Sequence, residues 1–174
     1  MIGIKPPRIH TSRLCLRPFT QADADAVTDL LTHPDVGKTY MVPDFASREE
    51  AEPLFRRLLE LSLGNDRFVY GIYYGDVPVG MLNDVGVENG CVELGYAIHP
   101  AYWNRGFATE ALEAAMDTLF RMGFHTVITG AFEENIPSIR VMEKCGMTRI
   151  AQNEDIEYRG SLHHCVYFEK KADR

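Results

Sequence analysis

With 174 residues, the chain suits one domain that buries about two-thirds of its unfolded surface, and 45% hydrophobic with 25% charged residues is an ordinary globular composition. Asp and Glu number 25 against 18 Lys and Arg, a net charge of −7; this argues against a nucleic-acid binder, which needs a basic face, and mildly favours cationic partners. No apolar run could span a membrane, the first residues lack a signal-peptide core, and four cysteines without C-x-x-C spacing read as free thiols, so a cytoplasmic protein is expected.

Residues 1–10 read as an extended lead-in, because Pro6 and Pro7 oppose helix, and a single domain is expected over 11–171. Alternation predicts a strand at 13–17. Thr20 can cap a helix reaching about Leu31, with Asp23 and Asp25 suited to its positive end, and His33-Pro34-Asp35 stops it. Ser47-Arg48-Glu49-Glu50 is a capping box opening a helix that ends near Leu63, with a distorted first turn expected from Pro53. Strand-like runs at 67–74 and 77–85 are joined by Gly75-Asp76 as a tight hairpin, and Glu88-Asn89-Gly90 turns the chain into a strand at 91–98. A longer helix is predicted at 107–122, with Ala111, Leu112, Ala115, Met116 and Leu119 on its buried stripe and Gly123 at its end. A strand at 125–132, a proline-started helix at 137–144 and an antiparallel pair at 147–153 and 162–170 follow. Strands before the main helix and a strand–helix–strand after it give a mixed α+β sheet.

The most informative stretch is Trp103-Asn104-Arg105-Gly106-Phe107-Ala108-Thr109-Glu110-Ala111-Leu112, where a strand and a short glycine-bearing turn feed a helix start. The first turn of a helix has N–H groups without intrahelical partners and a partial positive charge. Gly106 and Ala108 keep side chains away, so a phosphate could reach those donors.

The Gly106-x-Ala108 pattern behind basic Arg105 resembles the acyl-CoA pyrophosphate loop of GNAT-family N-acetyltransferases, and its wording is similar to the subgroup that acetylates ribosomal-protein N-termini. Thr11-Ser12-Arg13-Leu14-Cys15-Leu16-Arg17 resembles the opening of that subgroup, and Asn135-Ile136-Pro137-Ser138 followed by Glu143-Lys144-Cys145-Gly146-Met147 resembles a later segment. The resemblance implies a GNAT-like, mostly antiparallel central sheet flanked by helices, with a splayed strand pair for acyl-CoA. It further implies transfer from acetyl-CoA to a primary amine, most naturally a protein or peptide N-terminus. A small-molecule amine (aminoglycoside, polyamine or amino acid) is the alternative acceptor, and a non-catalytic CoA-binding module is a reading of another class. A homodimer is a family-level expectation.

Such a reaction needs a neutral amine, an acceptor for its proton, and donors for the oxygen and sulfur that gain charge; it needs no metal. Glu93 is the expected general base, because on an alternating strand it shares a face with Gly95 and Ala97, whose small side chains leave room for substrate. The backbone from Asn104 through Arg105, Gly106, Phe107 and Ala108 to Thr109 is expected to hold the pyrophosphate, with Trp103 packing beside CoA. The resemblance places Ile98 against pantetheine, Asn135 on its amide and Ser138, a catalytic candidate, near the thioester; Asn135 and Ser138 also suit helix capping. Met142 stands where many relatives carry a tyrosine that protonates the thiolate, so that mechanism is not supported. Tyr96 is expected in the core. His163 and His164, adjacent on a strand, should face opposite ways and not form a metal site.

Overall fold

A computed structural model describes residues 2–174. In chain order its elements are β1 (Ile9–His10), β2 (Leu14–Arg17), α1 (Ala24–Thr32), α2 (Pro34–Gly37), α3 (Arg48–Leu63), β3 (Val69–Tyr74), β4 (Val77–Glu88), β5 (Cys91–Ile98), α4 (Phe107–Arg121), β6 (Thr126–Phe132), α5 (Ile136–Lys144), β7 (Thr148–Tyr158) and β8 (Ser161–Lys171). The strands form one sheet in the order β1-β2-β3-β4-β5-β6-β8-β7. Among the described residues only β5 and β6 run parallel; every other neighbouring pair is antiparallel. The expected mixed, mostly antiparallel sheet flanked by helices is therefore present.

The two larger of three apolar clusters among the described residues lie on opposite faces, and the third gathers Phe132, Cys165 and Tyr167 of β6 and β8. Leu94, Ile98 and Val127 of the sheet pack with Ala111, Leu112, Ala115 and Met116 of α4 and Met142 of α5. On the other face Met81 and Ala97 pack with Val27, Leu30 and Leu31 of α1 and Phe55 and Leu58 of α3. Strand alternation explains the division: consecutive residues of β5 go to opposite sides, so Glu93 shares the α1–α3 face with Gly95 and Ala97, while Leu94, Tyr96 and Ile98 face α4 and α5.

Several local expectations are modified. Gln21–Asp23 form a 3-10 turn ahead of α1, and Asp23 Oδ2 accepts from the Thr20 N–H at 2.8 Å. The Ser47 hydroxyl accepts from Glu50 N, but Glu50 Oε2 reaches Ala46 N at 2.8 Å, so the second half of the capping box closes one residue early. α3 runs through Pro53 without a break; the ring removes one donor, and the Glu49 carbonyl it would have met lies at an exposed helix start where water can replace it. β7 continues to Tyr158 and turns at Arg159-Gly160. Its exposed, polar Gln152–Asp155 stretch carries no apolar alternation, which is why the sequence pattern stops at 153.

One cluster ties the first strands to the start of α4. Glu110 Oε2 accepts from Thr11 Oγ1 at 2.7 Å and Arg13 N at 3.3 Å, and Oε1 from Arg13 Nε at 3.1 Å. Burial pushes the Glu110 carboxyl up, but the hydrogen bonds from Thr11 and Arg13 and the Arg13 charge outweigh it, and its pKa falls below the ordinary 4.5. A carboxyl depressed in the folded state stabilises above its unfolded pKa, and that contribution is lost as pH falls through the folded value. Glu110→Gln is therefore expected to cost about 1 kcal/mol at neutral pH, the size of a partly exposed charged hydrogen-bond set. Urea unfolding should show the gap between wild type and variant closing as pH falls from neutral through the lowered folded pKa; a constant gap would remove the charge as its cause.

Candidate active site

β5 and β6 begin as partners and then separate. Their pairing runs from Cys91↔Thr126 to Leu94↔Thr129 and stops. Beyond that point β5 stays with β4 as far as Ile98↔Gly80, and β6 stays with β8 as far as Phe132↔Cys165. A bulge in β4 between Asp84 and Gly86, opposite Leu94 and Glu93, sits at the same level; bulges bend a strand and increase its twist. The result is a gap in the middle of the sheet, inside a cavity of about 980 Å³ that is lined from both faces. Glu93, Asn83, Gly130 and Tyr167 line it on one side, and Tyr96, Ala131, Asn135 and Ser138 with the start of α4 line it on the other.

The start of α4 is built as the sequence suggests. Gly106 adopts φ +77°, a left-handed conformation that glycine takes without steric cost, and Asn104 precedes it at φ +63°. The first backbone bond of the helix is Glu110 N to Gly106 O, at 3.0 Å, and among the described residues no backbone acceptor meets the N–H groups from Asn104 to Thr109. Their side chains have other tasks. Phe107 is buried in the core, with the Arg13 guanidinium 4.8 Å above its ring, so it offers the cavity its backbone. The Arg105 guanidinium lies against the Tyr102 ring, 5.4 Å from its centre. Trp103 Nε1 donates to the Ile98 carbonyl at 2.6 Å, fastening the loop to the end of β5.

Glu93 is half-buried at the gap. Burial raises its carboxyl above the ordinary range, the charge of Glu154 adds to this, and no hydrogen bond offsets either. Glu154 itself accepts from the Tyr167 hydroxyl at 3.1 Å. The Tyr167 ring lies against Gly130, where a Cβ would come within 2.7 Å of it. Glu93 is thus not tied into an ion pair.

Asn135 caps α5, its Oδ1 accepting from Ser138 N at 3.3 Å, and both residues line the cavity. Capping leaves the Asn135 amide nitrogen free. Met142, fully buried, belongs to the core. Tyr96 departs from expectation: it packs at the edge of the core, but its hydroxyl lies 2.7 Å from Ser138 Oγ. Strand alternation places Tyr96 on the α4–α5 face; it carries no information that α5 crosses there.

The opposite wall is clasped by the β7–β8 turn. The Tyr158 hydroxyl donates to Gly37 O at 2.6 Å and accepts from Val42 N at 3.3 Å, while Arg159 Nη2 donates to Val42 O at 3.2 Å. This holds the segment after α2, with Lys38, Tyr40 and Met41, over the cavity. The histidines stand apart: His99 bonds Asp29 at 2.7 Å, His163 bonds Glu134 at 2.6 Å, and His164 bonds Asp155 at 2.8 Å. Among the described residues no three His, Cys, Asp or Glu side chains are grouped to hold a metal, and no helix is long and apolar enough to cross a membrane.

A gap between neighbouring strands beside a helix start with free N–H groups agrees with a family match: the sequence fits the acetyltransferase (GNAT) domain over residues 13–148. The chain belongs to the GNAT acetyltransferase family. The uncharacterized N-acetyltransferase YnaD of Bacillus subtilis (strain 168) is 30% identical over 156 residues, covering 81% of this chain and 82% of that protein. A GNAT-family acetyltransferase from Bacillus anthracis superposes with a TM-score of 0.81 at 25% identity, over 94% of this chain and 98% of that one. RimL, a ribosomal L7/L12 alpha-N-protein acetyltransferase solved with coenzyme A, shares the fold with a TM-score of 0.83 at 19% identity, over 94% and 97% of the two chains. This GNAT protein is an acetyl-CoA-dependent acetyltransferase. Its residues suit that co-substrate, with unclaimed backbone donors for phosphate at one end of the cavity and a parted strand edge leading away from them.

Proposed function

We propose that this enzyme acetylates primary amines and that its preferred acceptor is the α-amine of a protein or peptide. The observation that carries the amine reading is the unpaired, half-buried Glu93 carboxylate on the opposite side of the gap from the α4 donors. An amine attacks only when neutral. An α-amine titrates near ~8 and a lysine side chain near ~10.4, so the α-amine gives up its proton more readily to a carboxylate whose pKa is raised. The resemblance of the motifs to the subgroup acting on ribosomal-protein N-termini supports the peptide class.

The residues divide the work by position. Backbone N–H groups from Asn104 to Thr109 bind the pyrophosphate, aided by the helix dipole. The edge of β5 that β6 leaves beyond Leu94, up to Ile98 whose carbonyl Trp103 already holds, and the Asn135 amide orient the pantetheine arm along the gap. Glu93 accepts the amine proton, directly or through one water. Ser138 faces the reacting thioester from the α5 side. Bound there, acetyl-CoA supplies the activated acyl group; no covalent enzyme intermediate is required.

Release of free thiol from acetyl-CoA should be followed over a panel of peptides with free N-termini, polyamines, aminoglycosides and amino acids. Peptides are expected to give the highest kcat/KM. A small amine at the top of the panel would overturn the peptide reading, and no release with any amine would overturn the amine reading.

A further inference from the structure

We propose that Tyr96 is the positioning residue for Ser138: its phenol donates to the serine oxygen and so turns the serine O–H toward the gap between β5 and β6. The inference deepens the proposed acetyl transfer and rests on that reading for its chemical purpose.

The geometry is specific to this pair. Tyr96 lies in the part of β5 that has lost β6 as a neighbour, since pairing ends at Leu94. Its hydroxyl stands 2.7 Å from Ser138 Oγ and 3.4 Å from the Ser138 carbonyl. Both side chains line the cavity. Ser138 is fixed from behind, because its N–H is held by the Asn135 side chain in the first turn of α5.

Either oxygen could donate across the 2.7 Å contact, and we assign the polarity. A hydroxyl has one hydrogen and two acceptor sites. The single phenol hydrogen is placed on Oγ at 2.7 Å rather than on the more distant Ser138 carbonyl at 3.4 Å. Burial keeps the phenol neutral by raising its pKa. With the phenol hydrogen directed at Ser138 Oγ, the serine hydrogen has no partner among the described residues and is free to point into the cavity.

There it meets the atom that needs it. During transfer the amine nitrogen bonds to the acyl carbon, the carbon–sulfur bond breaks, and the sulfur keeps the electron pair. The amine proton goes to Glu93, and the thiolate later takes a proton from solvent. Ser138 donates a hydrogen bond to the sulfur while it is charged. Hydrogen bonds to charged groups are stronger than neutral ones, and an aligned donor loses less freedom in making them. Met142 is buried in the core and does not line the cavity; here the phenol comes from the sheet and acts through the serine.

The test reads the thiol directly. The pKa of CoA bound to the protein is measured from thiolate absorbance, with the desulfo-CoA complex as the blank. The expected pKa in the Tyr96→Phe complex is about one unit above that of wild type, a tenfold change in thiolate stability. Ser138→Ala should raise it at least as far, and the double variant no further than Ser138→Ala alone, because Tyr96 acts through the serine. kcat should fall about tenfold in Tyr96→Phe with KM for acetyl-CoA unchanged. An unchanged thiol pKa in Tyr96→Phe, or additive effects in the double variant, would overturn the proposal. So would the reverse polarity, in which Tyr96→Phe frees the serine hydrogen and lowers the thiol pKa. Should Tyr96→Phe fail to fold, an unshifted thiol in Ser138→Ala is sufficient to reject it. Because the thiol is titrated without an acceptor, the result stands whichever amine the enzyme uses.

Discussion

Glu93→Gln is expected to lower kcat by about 100-fold or more, the range for losing a positioned general base, while KM for acetyl-CoA changes little. The amide keeps the size of the carboxylate but cannot take a proton. The proposed cofactor donors lie on the far side of the gap, along Asn104 to Thr109, so their contacts should be untouched. The pH profile gives a second signature. Burial and Glu154 raise the Glu93 pKa, and the base works only when ionised. In wild type kcat/KM should therefore fall as pH drops through that raised value, on a limb that Glu93→Gln lacks. Both enzymes should still gain rate toward pH ~8 as an α-amine loses its proton. Equal turnover of wild type and variant at saturating peptide would remove Glu93 as the base.

Gly106→Val should weaken CoA binding about 100-fold in calorimetry. The cause is conformational. A Cβ built at Gly106 meets only Arg13 Nη2 among protein atoms, at 3.4 Å, so within the chain the demand is that of φ +77° rather than of space. A β-branched residue held there costs about 1–3 kcal/mol. The chain relieves that strain by moving the turn, and the turn aims the N–H groups of Phe107, Ala108 and Thr109. Each misdirected hydrogen bond to a charged phosphate costs about 1.5–3 kcal/mol, so one lost bond with residual strain accounts for the expected drop. Gly106→Asn is the control: asparagine tolerates the left-handed region, and its affinity should stay within a few-fold of wild type. Unchanged affinity in the valine variant would count against the loop as the phosphate site.

These variants also show how the sequence can be read and where it stops. The loop was legible because glycine, small residues and a helix start leave a local pattern. Glu93 was legible because strand alternation puts it on the face of Gly95 and Ala97. The absent tyrosine at Met142 was legible too, by position in a resembling segment. What stayed hidden is set by packing between distant elements. The Tyr96–Ser138 contact joins residues 42 apart and depends on how α5 crosses β5. The clasp of Tyr158 on Gly37 spans 121 residues, and β7 itself runs on through polar residues that carry no strand pattern. The hydrogen bond between Trp103 and Ile98 joins the loop to the end of β5, so the indole fastens the turn to the sheet.

The break between β5 and β6 makes the sheet a partition with a doorway in it. Donor and acceptor can each be held in a chamber of their own, rooted in different helices, and meet only at the sill. Neither has to leave before the other arrives. If the recipient sits on the Glu93 side as proposed, that side, clasped by the last hairpin, can be reshaped by changes near the carboxyl end of the chain while the α4 side stays as it is.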